Sequence, residues 1–212
     1  AAETVYRRLV VVREAAQEPD DDSLASSLLL LGRVLAQQGK WQECELRLRR
    51  CLSVMETMYG KRDVGLLDTL LVLAEALSNL KKFHEADSLY KRALELVNSV
   101  DGIDSVVAAT VLEKMGSVQR DLGNLLPAQD LLEKALETRE RVQGTTHQDL
   151  RPVLTALADV LMAKGYDEEA EAAYLRSLAI AESALGPNDV SLVEDLSKLG
   201  QMMSAKGDVP AA

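Results

Sequence analysis

The chain is poor in aromatic residues and cysteine. The first shortage limits the possible fold classes, and the second limits the possible cell compartments. Aromatic side chains make up only 3% of the 212 residues, so leucine, alanine and valine must supply the core, a composition that favours helices. The two cysteines, Cys44 and Cys51, would lie about 10 Å apart on a helix, which is beyond disulfide reach. We therefore expect reduced, buried thiols and an intracellular location, cytoplasmic or organellar.

Side chains that carry chemistry are equally scarce. The two histidines, His84 and His147, lie far apart in the chain and have no nucleophile or acid placed beside them. No Cys or His neighbours the cysteines at the spacing of metal ligands. The glycines do not follow the spacing of phosphate-binding loops. We predict that the protein is not an enzyme and has no catalytic residue, metal site or cofactor.

Long apolar runs and an excess of positive charge are also missing. Uninterrupted runs of Leu, Ile and Val reach only the length of Leu28 to Leu31, which is far too short to span a bilayer, so we expect no membrane insertion. The formal net charge is -10, which argues against a nucleic-acid partner because phosphate binding needs a basic face. A protein or peptide partner is the remaining expectation.

Glycine, in contrast, recurs with a fixed period of 42 residues. The glycines that share a position in this period form three columns: Gly60, Gly102, Gly144 and Gly186; Gly39, Gly123, Gly165 and Gly207; and Gly32, Gly116 and Gly200. A fixed period of this length predicts a repeat array. We interpret the first two columns as helix ends closed by a residue with positive φ, in the left-handed conformation.

Within each period, large and small residues keep their order. A first helix carries a leucine, a second large residue and then a small one, as at Leu154, Leu157 and Ala158. A second helix carries a small residue, Tyr or Leu, and a small residue again, as at Ala170 and Tyr174. Small residues beside large ones allow neighbouring helices to approach closely, so the pattern predicts packed helix pairs.

The period sets the predicted boundaries of a single array over residues 1–212. The full helix pairs are 22–60, 64–102, 104–144 and 147–186, with half repeats at 1–17 and 189–212. Residues 3–212 are five periods of 42, and no polar capping helix closes the array. We therefore expect a fragment of a longer array or of a larger protein.

Two charged ladders repeat with the same period. The basic ladder is Arg8, Arg50, Arg92, Lys134 and Arg176, and the acidic or polar ladder five residues upstream is Glu3, Glu45, Asp87, Gln129 and Glu171. We interpret them as ion pairs within a repeat or with the next repeat, which tie the repeats together. Exposed pairs of this kind tune register more than stability.

The order large, large, small, glycine, small, aromatic, small resembles the tetratricopeptide repeat. The phrase GYDEEAEAAYLRSLAIAESALG from Gly165 to Gly186 and the turn GTTHQDL from Gly144 to Leu150 are similar to the longer-helix form found in kinesin light chains. This resemblance implies an all-α fold, a right-handed superhelical solenoid of paired antiparallel helices with about ten helices. It also implies a non-catalytic protein-protein interaction scaffold, or adaptor.

The resemblance further implies which residues face a partner. In tetratricopeptide arrays the first helix of each pair lines a concave groove, and positions one, five, eight and nine after the leucine tend to face a bound peptide or helix. Carried over to this chain, with two neighbouring lysines, the predicted partner-binding residues are Leu29, Arg33, Leu71, Glu75, Asn79, Glu113, Lys114, Ser117, Arg120, Thr155, Asp159, Met162, Lys198 and Gln201.

One departure from the family and two alternatives qualify this interpretation. Kinesin light chains typically carry an Asn-Asn pair after the leucine, whereas this chain has Leu29-Leu30 and, one period later, Leu71-Val72. We therefore do not expect the acidic tryptophan-containing cargo motif to bind. The main alternative function is a structural or self-association module that uses the open array ends or the convex face. The second alternative is a regulatory arm within a larger protein.

Overall fold

The structure, a computed structural model, describes residues 2–15, 21–100 and 105–205. These residues form ten α-helices and no strand. The helices fall into two compact units, residues 1–103 and residues 104–212. The predicted all-α class is confirmed, and the helix number matches the expectation. The predicted glycines Gly102 and Gly207 lie outside the described residues.

Unit 1 contains five helices. First-type helices, defined as the first member of each predicted pair, pack against the second-type helix that follows them and against the one that precedes them. The first-type helices are α2 (Asp21–Gln37) and α4 (Leu67–Asn79), and the second-type helices are α1 (Ala2–Glu14), α3 (Trp41–Tyr59) and α5 (Phe83–Val100).

Unit 2 contains five further helices with the same alternation. The first-type helices are α6 (Val106–Asp121), α8 (Leu150–Ala163) and α10 (Val193–Ala205), and the second-type helices are α7 (Leu125–Gln143) and α9 (Asp167–Leu185).

Three first-type helices, α4, α8 and α10, start later than their predicted residues because short turns precede them. The pair that contains α4 is predicted from residue 64, but the Asp63 carboxylate accepts a hydrogen bond from the Gly65 amide at 2.8 Å, and a 3-10 turn over Val64–Leu66 follows it. Helix α8 is predicted from His147, whose Nδ1 accepts from the Asp149 amide at 3.2 Å. Side chains that bond to nearby backbone in this way compete with helix formation.

The predicted close approach of helices at small residues is confirmed. A Cβ added to Gly32 in α2 would lie 2.5 Å from Leu48 Cδ2 of α3, and one added to Gly116 in α6 would lie 2.6 Å from Leu132 Cγ of α7. Both leucines are fully buried. Glycine is therefore required at these positions by packing rather than by backbone conformation.

Glycines at helix ends have positive φ as predicted, but one column differs from the predicted conformation. Gly60 has φ 86° and ψ 166°, and Gly144 has φ 90° and ψ 164°. This is an extended region open essentially to glycine alone, rather than the left-handed helical one. In the other column Gly39 has φ 68°, and Lys81, which takes the same place one period later, has φ 60°.

Candidate functional site

The predicted partner-binding residues differ in accessibility. Exposed side chains belong to Arg33, Glu75, Asn79, Lys114, Met162 and Gln201, and half-buried ones to Leu29, Leu71, Ser117, Arg120, Thr155, Asp159 and Lys198. Glu113 is buried, with 7% of its surface exposed. The structure brings subsets of these residues together at one site in each unit.

The α2–α4 site of unit 1 is a hollow of about 270 Å³. Two predicted residues, Arg33 and Glu75, line it together with the apolar surfaces of Ala36, Trp41 and Val72, and with Gln37. Arg33 Nη2 donates to Asp68 Oδ2 at 2.7 Å, which joins α2 to α4. Sequence reasoning missed Trp41, the only tryptophan of the chain, because it begins a second-type helix.

The α6–α10 site of unit 2 is a larger hollow of about 450 Å³. Its lining comes from first-type helices, apart from Gln148 in the turn before α8. The predicted residues that line it are Arg120, Thr155 and Asp159, and the residues that the sequence analysis did not predict are Gln148, Arg151, Pro152, Ala156 and Asp195.

Asp159 of α8 contacts side chains from three other helices, α6, α9 and α10, around the α6–α10 site. Its carboxylate accepts from Arg120 Nη1 at 2.9 Å and is 3.4 Å from Lys198 Nζ. It also accepts a hydrogen bond from the Tyr174 hydroxyl of α9. Burial and this bond to the carboxylate raise the pKa of Tyr174, so the hydroxyl stays a donor.

A second polar pair forms another wall of the same site. Arg151 Nη2 of α8 donates to Asp195 Oδ2 of α10 at 2.6 Å, and Asp195 is only 6% exposed. The Arg151 Nε is buried and has no hydrogen-bond partner in the part of the chain that the structure describes. No column in the sequence marked these residues, because the pair spans 44 residues rather than one period.

Glu113 is directed into the helix packing of unit 2. Its Oε2 accepts from Arg139 Nη2 of α7 at 2.9 Å, and the two side chains are 9% and 6% exposed. Burial raises the pKa of Glu113 against the opposing charges of Lys114 and Arg139. Glu113 therefore offers no accessible carboxylate to a partner.

The basic ladder ties repeats together, but with other partners than the predicted acidic ladder. Arg50 lies 2.5 Å from Glu14, and Arg176 lies 2.5 Å from Glu140, a carboxylate 36 residues upstream in both cases. The acidic ladder uses different cations, as when Lys82 Nζ lies 2.8 Å from Glu45 Oε1. Each ladder thus contacts the neighbouring repeat separately.

The described residues offer no further chemical centre of the usual kinds. Among them no three His, Cys, Asp or Glu side chains are grouped so as to hold a metal ion. Both cysteines are buried and free, and burial raises the pKa of Cys44 to about 11. No described helix is long and apolar enough to cross a membrane.

Comparison with known proteins identifies the repeat. Two sequence profiles, both described as tetratricopeptide repeat, match residues 65–141 and residues 24–63 and 153–191. No curated protein matches the chain.

Two solved structures have a similar fold. BtubC (BKLC) from P. vanneervenii has a TM-score of 0.77 at 20% identity, over 98% of this chain and 84% of that one. A Podosopora anserina protein described as a kinesin light chain with nearly identical TPR-like repeats has a TM-score of 0.72 at 16% identity, over 86% of this chain and 87% of that one. The predicted tetratricopeptide fold of the kinesin-light-chain type is confirmed.

Proposed function

Because the chain belongs to the tetratricopeptide-repeat family, whose members generally act as protein-interaction scaffolds, we propose that it is a non-catalytic scaffold that binds a segment of a partner protein. The segment lies along the exposed face of the first-type helices, the face predicted to be concave. One observation supports this proposal above the others: in both units a hollow opens among first-type helices, and predicted residues line it.

The two hollows differ in what they can bind. At the α2–α4 site, Ala36, Trp41 and Val72 form an apolar wall beside Arg33 and Glu75. Such a site suits an aliphatic or aromatic side chain that has a polar group at its edge.

The α6–α10 site suits polar contacts instead. Arg120, Arg151, Asp159 and Asp195 line it, and ion pairs already fix these side chains in place. Fixed charged groups can bind polar side chains or the amides of an extended segment at little ordering cost. We propose that the partner segment has an apolar part for unit 1 and a polar or charged part for unit 2, and that the scaffold works inside the cell, where its free thiols stay reduced.

Affinity capture with matched variants tests the proposal. Gln37→Trp and Pro152→Trp together would fill both hollows from exposed positions. The control adds the same two tryptophans to second-type helices, at Leu46 and Leu126, which are 63% and 68% exposed. We expect the parent and the control to retain the same partner from cell lysate and the hollow-filling variant to lose it while keeping its helical circular dichroism. Equal retention by all three proteins would overturn the proposal.

Self-association is the second candidate, and the two outermost described helices favour it. Val5 and Val12 of α1 are 63% and 59% exposed, and Val193 and Leu196 of α10 are 62% and 49% exposed. Apolar surface of this kind often marks an interface. Sedimentation equilibrium at rising concentration distinguishes the two functions. Self-association predicts a mass that rises with concentration and falls back in Val193→Lys, whereas a constant monomer mass excludes it.

A further inference from the structure

A second hollow of unit 1 lies at the turn between α3 and α4 and is lined by the turn and α5 rather than by first-type helices. This α3–α4 turn site has a volume of about 470 Å³. Its lining residues come from the turn and from α5: Lys61, Arg62, Arg92, Glu95, Leu96 and Ser99.

The same hollow recurs in unit 2 as the α7–α8 turn site, with a volume of about 330 Å³. Each of its lining residues stands two periods after its counterpart in unit 1: Thr145, Thr146, Arg176, Ala179, Ile180 and Ser183. The two sites are therefore one repeated structure with different walls.

An arginine frames both sites in the same way. Arg92 Nη2 donates to the Lys61 carbonyl at 2.7 Å, and Arg176 Nη2 donates to the Thr145 carbonyl at 2.9 Å. The other guanidinium nitrogen of Arg92 pairs with Glu56, and Arg176 pairs with Glu140. Because these carboxylates offset the arginine charges, the framing arginine serves the fold in both units.

The two copies of the site differ in the residues at the turn. Lys61 and Arg62 are exposed, and no carboxylate of the described residues lies within ion-pair distance of either, whereas threonines stand at both places in unit 2. All the lysines and arginines of the surrounding helices α3 and α5 are paired: Arg47, Arg49, Arg50, Lys91 and Arg92. Among the described residues, Lys61 and Arg62 share the unit 1 hollow with one exposed carboxylate, Glu95, so its lining keeps an excess of positive charge that the unit 2 copy lacks.

We propose that Lys61 and Arg62 bind the phosphate group of a phosphorylated side chain of a partner protein at the α3–α4 turn site. A phosphate carries close to two negative charges and three acceptor oxygens at neutral pH, so it can accept from both cations although Glu95 lines the same hollow. A carboxylate carries half that charge and would be attracted less strongly by the excess of positive charge. An extended polyanion such as a nucleic acid or an anionic membrane would be repelled by the net charge of -10.

Titration of the isotope-labelled full chain, followed by amide chemical shifts, tests this site. The probes are a neutral-context peptide with one phosphoserine, its unphosphorylated twin, inorganic phosphate, duplex DNA and phosphatidylserine vesicles. The variant Lys61→Thr with Arg62→Thr gives unit 1 the two turn residues of unit 2 and leaves Glu95 in place. The reciprocal variant Thr145→Lys with Thr146→Arg gives unit 2 the two turn cations of unit 1, with Ala179 where unit 1 has Glu95. The control, Arg8→Thr with Lys134→Thr, removes two exposed cations elsewhere.

We expect the phosphopeptide to shift the Gly60, Lys61 and Arg62 amides, and its twin to shift none of them. The Lys61→Thr, Arg62→Thr variant should bind at least about fivefold more weakly, the control should bind as the parent does, and the reciprocal variant should gain shifts at residues 144–146.

Four results would overturn the proposal: no shift with the phosphopeptide, equal weakening in the control, binding of inorganic phosphate alone, or binding of duplex DNA or phosphatidylserine vesicles in its place. The outcome is independent of the proposed scaffold function, because the Gln37→Trp, Pro152→Trp variant leaves this site intact.

Discussion

Unit 1 and unit 2 share one period and one helix order, yet the ion pairs between their elements differ in burial. In unit 1 these pairs keep a partly exposed member, as between Lys82 and Glu45, whose side chains are 44% and 12% exposed. In unit 2 the side chains of Arg139 and Glu113 are only 6% and 9% exposed, and those of Arg151 and Asp195 are 22% and 9% exposed. The same repeated pattern of apolar core residues is thus compatible with both exposed and buried ion pairs.

The difference matters because burial changes what an ion pair does. An exposed pair is screened by water and salt, so its loss is cheap. A buried pair is costly to break, because the remaining partner stays desolvated and unpaired. Unit 1 should therefore tolerate surface changes, while unit 2 depends on a few matched pairs.

The largest expected effect is a difference in stability between breaking a buried ion pair in unit 2 and an exposed one in unit 1. Glu113→Ala leaves the buried Arg139 guanidinium with only the Thr110 hydroxyl at 2.9 Å and the Asp149 carboxylate at 3.7 Å, and should lower the free energy of unfolding by about 3 kcal/mol. The matched change in unit 1, Glu45→Ala, should cost less than about 1 kcal/mol. Urea titration followed by circular dichroism measures both. Equal costs would show that the two contacts do not differ as their burial suggests.

Substitutions that overpack the core should destabilise the two units to a similar extent, unlike the substitutions in the ion pairs. Gly116→Ala places a Cβ against Leu132, and Gly32→Ala places one against Leu48, so each should cost about 1–3 kcal/mol by overpacking. At Gly200 of α10 a Cβ meets nothing within 4 Å. Gly200→Ala should instead stabilise the helix by up to about 1 kcal/mol. Thermal unfolding of the three variants checks the order, and a stable Gly116→Ala would contradict it.

A backbone change in unit 1 should give a smaller effect of opposite sign. Lys81 has φ 60° at the position where Gly123 and Gly165 have φ 81° and 79°. Lys81→Gly should relieve backbone strain and, after the added flexibility of the unfolded chain, stabilise by about 0.5–1 kcal/mol. The matched change Lys82→Gly should destabilise, since Lys82 pairs with Glu45. A loss of stability in Lys81→Gly would refute the strain.

The smallest effect is a pH dependence of opposite direction in the two units. Hydrogen bonds from Lys40 and Arg7 lower the pKa of Glu3 to about 2. Its contribution is therefore present above the ordinary value of 4.5 and is lost as the pH falls towards 2. Burial raises the pKa of Glu113, so its contribution is present in acid and is lost as the pH rises through the raised pKa.

Stability measurements on Glu3→Gln and Glu113→Gln at several pH values check these signs. The advantage of the parent over Glu3→Gln should shrink in acid, and its advantage over Glu113→Gln should shrink towards neutral pH. If the stability differences of both variants changed with pH in the same direction, the opposite pKa shifts of Glu3 and Glu113 would be contradicted.

The sequence predicts the helices well because apolar spacing and glycine positions are local signals. The resemblance to tetratricopeptide repeats predicts Arg33, Arg120 and Asp159, which line the candidate sites, because the partner-facing positions of that family lie at fixed distances from the leucine of the first helix. The sequence cannot predict that Glu113 turns inward, since that depends on Arg139 reaching it from the next helix. The Arg151 to Asp195 pair was missed for the same reason, because a contact between helices has no periodic signal.

The central claim is that a partner segment lies on the first-type helices. Photo-crosslinking tests it most directly, with benzoylphenylalanine placed in turn at Gln37 and Pro152 in the hollows and at Leu46 and Leu126 on second-type helices. We expect the captured partner to be crosslinked from Gln37 and Pro152 and not from Leu46 or Leu126. Crosslinks from Leu46 and Leu126 alone would contradict it.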